Sequence, residues 1–101
     1  MKLTKVCKPP LFQIVEPNEP EPTRIKVYHA PDDHSDYYET SNTNDALAIC
    51  RVIAATKPTN TTNIVTIQHP HRPICQFAVA KRPEKTVIIP LDIRHRFTQS
   101  R

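Results

Sequence analysis

The stretch Ile64-Val65-Thr66-Ile67-Gln68-His69-Pro70-His71-Arg72-Pro73-Ile74-Cys75-Gln76-Phe77-Ala78-Val79-Ala80 decides the fold class. Two runs rich in β-branched and apolar residues flank His69 to Pro73, a proline-containing connection short enough for a hairpin. Side chains alternate along a strand, so Cys75, Phe77 and Val79 share one side, while Gln76, Ala78 and Ala80 share the other. Downstream, Lys81-Arg82-Pro83-Glu84-Lys85 makes a second charged connection. Val87, Ile89, Leu91 and Ile93 then alternate along a third strand. Pro90 falls on the opposite face of that strand and lacks an amide donor, so the strand is expected at a sheet edge or to break there.

Upstream the period changes. Leu47, Cys50, Ile53 and Ala54 form an apolar stripe widened by Ile49 and Val52, and predict a helix over about residues 43–56. Ser41, Asn42 and Thr43 are competent N-caps. Asp45 is expected in the first turn, where the helix dipole favours a carboxylate, and Asn42 with Asp45 resembles a capping box. Lys57-Pro58 closes the far end. Arg24-Ile25-Lys26-Val27-Tyr28-His29 alternates for a full strand; Ala30 to Asp36 reads as turn, and Tyr37 to Thr40 as a short strand. Residues 16–23, with three prolines and no large apolar side chain, read as an extended connector. Before them, Leu11 to Val15 and Leu3 to Val6 are two further strand segments separated by Pro9-Pro10.

This order predicts one α+β domain over residues 1–101. A mainly antiparallel sheet of about four to five strands packs against one helix, and a basic tail over residues 94–101 frays. The core is thin but sufficient: 24 of 101 residues are Val, Ile, Leu or Phe, above the roughly 20% below which chains stay disordered. One helix covers one sheet face, so the other is solvated, lined by small groups, or used for binding.

Composition excludes several activities. Without a single glycine, the chain has no Walker A loop, dinucleotide fingerprint, kinase glycine loop or G-x-S-x-G elbow, all of which need close backbone approach or positive φ. No apolar run approaches the roughly 20 residues of a membrane helix. Met1 to Val6 leads into Cys7-Lys8-Pro9-Pro10 rather than an apolar signal core, so a cytoplasmic location is expected. Cys7, Cys50 and Cys75 are odd in number and far apart, and read as reduced thiols, with Cys50 and Cys75 inside packed elements. The formal charge of +4 is segregated along the chain: residues 16–45 hold eight carboxylates against Arg24 and Lys26, while residues 46–101 hold nine Lys and Arg against Glu84 and Asp92.

The expected function is non-enzymatic: a small regulatory protein, inhibitor or adaptor that binds another protein through a sheet edge or open sheet face and charged loops. Its size and proline-rich loops give the impression of a viral or mobile-element protein. Arg24, Lys26, Tyr28, Tyr37 and Tyr38 are the candidate partner-binding residues, and pairing through the strands Arg24 to His29 or Val87 to Ile93 would also allow a homodimer. The first alternative is nucleic-acid binding by Arg72, Lys81, Arg82, Lys85, Arg94 and Arg96, with no aromatic stacking platform to support it. The second is a metal-independent ribonuclease in which His29 or His34 meets His69 or His71 across a phosphate. His69, His71 and Cys75 have metal-binding chemistry without a fourth ligand nearby. Neither a metal nor a cofactor is therefore expected, and neither a catalytic residue nor a membrane partner is assigned.

Overall fold

The computed structural model describes residues 2–6, 21–41 and 43–91. Within them lie β1 (Thr4–Val6), β2 (Thr23–His29), β3 (His34–Thr40), α1 (Ala46–Ala55), β4 (Thr61–Gln68), β5 (Cys75–Lys81) and β6 (Thr86–Leu91). The strands form one antiparallel sheet in the order β1-β3-β2-β4-β5-β6, with α1 packed on one face. This is the expected α+β architecture, with six strands rather than four or five. The expected strand at Leu11 to Val15, Asn42, most of the proline-rich connector and the basic tail lie outside the described residues.

The extra pairing has local causes. Ala30–Asp32 forms a single 3-10 turn with Pro31 inside it, and Asp33 takes φ 47°, closing the β2–β3 hairpin within four residues. His34 to Asp36 are thereby freed from the turn and pair with Val27 to His29. β4 begins at Thr61 rather than Ile64 because Thr61 to Asn63 continue the ladder against Val79 to Lys81. The three-residue β1 joins β3 alone and forms one edge; β6, carrying Pro90, forms the other. β2 is paired on both sides, so it cannot accept a strand from another chain, which corrects the expectation that Arg24 to His29 offers an edge.

Register fixes the two faces. Tyr38, Ile25, Ile67 and Cys75 lie in one row beneath α1, and Asp36, Val27, Val65, Phe77 and Pro90 in the next. Ile25, Val27, Val65, Ile67 and Val79 are buried there against Ile49, Cys50, Ile53 and Ala54 of the helix. Burying each large aliphatic side chain stabilises the domain by about 1.5–3 kcal/mol.

The helix is shorter than the periodicity suggests, and Asp45 is its N-cap rather than a first-turn residue. Its Oδ1 accepts from the Ala48 amide at 3.0 Å. The lead-in is pinned to the sheet, since buried Thr23 accepts from the Thr43 amide and donates to the Thr43 carbonyl. At the other end the Lys81 ammonium donates to the carbonyls of Ala54 and Lys57 at 3.0 and 2.8 Å, giving a second donor to Ala54, which also accepts from the Lys57 amide, and a cation at the C-terminus of the helix.

Candidate functional site

The face opposite α1 is open among the described residues, and its composition is built by the same register. One row across it runs Ser35, Tyr28, Ile64, Ala78 and Ile89; the next runs Val6, Tyr37, Lys26, Thr66, Gln76 and Leu91; a third holds Thr4, Glu39, Arg24 and Gln68. Val87 and Ala80 extend the apolar end. Val87, Ile89 and Leu91 therefore face away from the helix, while Ile88 packs on the core. Ile89 is 51% exposed and Ile74, just before β5, is 50% exposed. The face is thus divided: Ile64, Ala78, Ala80 and β6 present an aliphatic patch bordered by Thr66, Gln68 and Gln76, and β2 with β3 present charges and aromatic rings.

Between the two halves lies a shallow groove of about 230 Å³, lined by Arg24, Lys26, Tyr37, Thr66, Gln68 and Ile74. Arg24 is mostly covered, with its side chain 18% exposed, yet its Nε has no hydrogen-bond partner among the described residues. The nearest acidic oxygen, Glu39 Oε1, is 3.9 Å away, too far for a hydrogen bond. Thr66 and Gln76 are tied to each other at 3.0 Å.

The candidate partner-binding residues thus separate. Arg24, Lys26, Tyr28 and Tyr37 share the open face, whereas Tyr38 turns beneath the helix and packs against the core, so it is not a surface contact. Tyr28 donates to Asp33 Oδ1 at 3.1 Å, and that hydrogen bond together with the carboxylate's charge raises the phenol above its ordinary pKa. Ile64, Thr66, Gln68, Ile74 and Ile89 were not singled out from sequence. The available signal was that β6 carries apolar groups on both faces and that Ile64 is an apolar residue out of step with Val65 and Ile67.

The candidate phosphate-binding residues do not form one described patch. Arg72 lies in the β4–β5 connection and Arg82 and Lys85 in the β5–β6 connection, at opposite ends of the seven-residue β5, whose ends are about 20 Å apart at the usual strand rise. Lys81 is held at the end of α1. Arg94 and Arg96 lie outside the described residues. The acidic and basic blocks also interleave: Asp36 contacts Lys5 at 3.3 Å, His34 at 3.0 Å and Lys57 at 3.7 Å. Partial burial pushes its carboxyl up, but the hydrogen bonds from His34 and Lys5 and their charges outweigh this and hold it below its ordinary value.

The histidines fall into two distant groups. His29 and His34 are cross-strand partners at the β2–β3 turn, bonded to Asp32 at 2.8 Å and Asp36 at 3.0 Å. His69 and His71 lie at the other end of the sheet, one strand length away. One phosphate cannot lie between an imidazole of each group. His69 is buried, rather than a solvent-facing loop residue, and its Nδ1 has no partner among the described residues. His71 is exposed and forms the turn at φ 58°. No group of three or more metal-ligating side chains converges among the described residues.

Burial pushes the Cys50 thiol up to about 12, with Cys75 nearby adding to the effect, and burial also raises Cys75 against the lowering effect of a backbone hydrogen bond. Both are free thiols, and Cys75 Sγ lies 3.7 Å from the Ile67 carbonyl oxygen. Among the described residues, no helix is long and apolar enough to cross a membrane. Compared with protein-family models, curated proteins and solved structures, the chain matches none.

Proposed function

We propose that this chain is a non-enzymatic binding module that docks another protein on the open face of its sheet. The observation that carries the reading is the outward alternation of Val87, Ile89 and Leu91 beside Ile64, Ala78 and Ala80, a continuous aliphatic surface on the side away from the only helix among the described residues. The face is favoured over the edges as the principal contact. β1 has three residues, and Pro90 deprives β6 of one backbone donor. Adaptor and inhibitor roles share this mode, because each requires a rigid surface rather than a reacting group.

The test compares immobilised wild-type chain with Ile89→Glu on the open face and Leu47→Glu on the exposed side of α1, all in nuclease-treated lysate. A discrete protein held by wild type and Leu47→Glu but lost from Ile89→Glu is the expected result. Retention of nucleic acid alone without nuclease, released by modest salt, would replace this reading with the basic-binder alternative.

A further inference from the structure

Resting on that reading, we propose that the groove beside Arg24 is the anchor point for a carboxylate side chain carried on an extended segment of the partner. Its volume, about 230 Å³, lies below the roughly 300 Å³ at which pockets for whole small molecules begin, so it suits one projecting side chain. The charged groups lining or touching it are Arg24, Lys26 and Glu39, a net positive site with the Glu39 carboxylate 3.9 Å from Arg24 Nε. Arg24 Nε is covered and has no partner among the described residues, so an incoming carboxylate would meet the part of the Arg24 side chain left exposed where it lines the groove and give the guanidinium a charge-assisted hydrogen bond there. Lys26 is exposed on the same face and adds attraction without being committed to any ion pair among the described residues. The Tyr37 ring and Ile74 supply apolar walls for the methylenes and flanking residues of the same segment. Gln68, opposite Arg24 in the register, places an amide at the rim for a backbone contact.

The probe is a blocked tripeptide, acetyl-Val-Glu-Val-amide, titrated into the full ¹⁵N-labelled chain, with acetyl-Val-Gln-Val-amide as its uncharged match. The Arg24 Nε–H resonance reports on the guanidinium that the carboxylate would pair with. It is expected to move saturably with the Glu peptide, together with the amides of Lys26, Tyr37, Thr66 and Gln68. The Gln peptide is expected to bind about tenfold more weakly, the equivalent of one such interaction. Lys26→Glu, an exposed substitution that leaves the core untouched, should weaken the Glu peptide about tenfold, and Glu39→Gln should tighten it. An unmoved Arg24 Nε–H, or equal binding of the two peptides, overturns the assignment. The two proposals fail separately: a captured partner lost with Ile89→Glu but indifferent to Lys26→Glu removes the groove and leaves the docking face standing. Peptide binding without a captured partner removes the docking face and keeps the groove.

Discussion

Lys81→Met separates two roles that the sequence allows for one lysine. The substitution keeps the long stem that crosses the end of the helix and removes only the ammonium, which donates at 3.0 Å to Ala54 and 2.8 Å to Lys57. Hydrogen bonds to a charged group contribute about 1.5–3 kcal/mol, and a cation at a helix C-terminus about 0.3–1 kcal/mol of partly the same energy. Methionine restores some apolar contact, so the expected net loss is about 2 kcal/mol. That is a large share of the roughly 5–15 kcal/mol typical of a small domain. At about 4–8 °C per kcal/mol for this chain length, the midpoint should fall by about 8–16 °C. Thermal and urea melts followed by far-ultraviolet circular dichroism measure it. Hydrogen exchange at the Thr56 and Lys57 amides, which bond to Ile53 and Ala54, localises the loss to the last turn. Stability unchanged within about 0.5 kcal/mol, accompanied by weaker retention on nucleic acid, would refute the capping argument and return Lys81 to phosphate binding.

Asp45→Ala removes the side chain that accepts from the Ala48 amide and should cost about 1 kcal/mol by urea denaturation, with Asp45→Asn recovering most of it. Asp36→Asn should destabilise at neutral pH. Because the folded carboxyl lies below its ordinary 3.8, its contribution is present above that value and is lost as pH falls through the folded value, so wild-type and variant stabilities should converge in acid. Cys50, buried and with its thiol at about 12, should resist a thiol-specific reagent at pH 8 until the chain is unfolded in urea; rapid labelling of Cys50 in the native chain, located by peptide mapping, would contradict its placement.

Where local chemistry dominates, the sequence was legible. The β4–β6 meander, the division of Cys75, Phe77 and Val79 from Gln76, Ala78 and Ala80, and the helix around Cys50 and Ile53 all follow from periodicity. The start of the helix was misplaced by a few residues because four consecutive polar residues, Asn42 to Asp45, all favour capping, and Thr23 on a distant strand fixes Thr43 outside the helix. His34 to Asp36 read as turn because nothing nearby shows that Asp33 completes the reversal at positive φ. Neither the central position of β2 nor the role of Lys81 was available, since both depend on partners more than twenty residues away. The groove was hidden for the same reason: Arg24, Tyr37, Gln68 and Ile74 become neighbours only through strand order and register.

The proportions of the fold explain why one face of the sheet is left open. A ten-residue helix is about 15 Å long, whereas six strands at ordinary spacing span about 24 Å from β1 to β6, so α1 can seal one face only partly and leaves the other untouched. On the covered face, the edges of the core are closed by half-buried Tyr38 and Phe77 and by the Asp36 contacts with Lys5 and Lys57. No comparable closure exists on the open face among the described residues. There Ala78 lies between Ile64 and Ile89, a small group flanked by two large ones. Ile74 and Ile89 are each about half exposed, so covering both would contribute about 1.5–3 kcal/mol in total, a minority of the roughly 8 kcal/mol of a micromolar affinity even before ordering costs are subtracted. An aliphatic surface alone does not set orientation. If a partner docks there as proposed, the groove lined by Arg24 and Lys26 would add a second, charge-selective contact, and a chain that fitted both halves would lie on the sheet in one direction only.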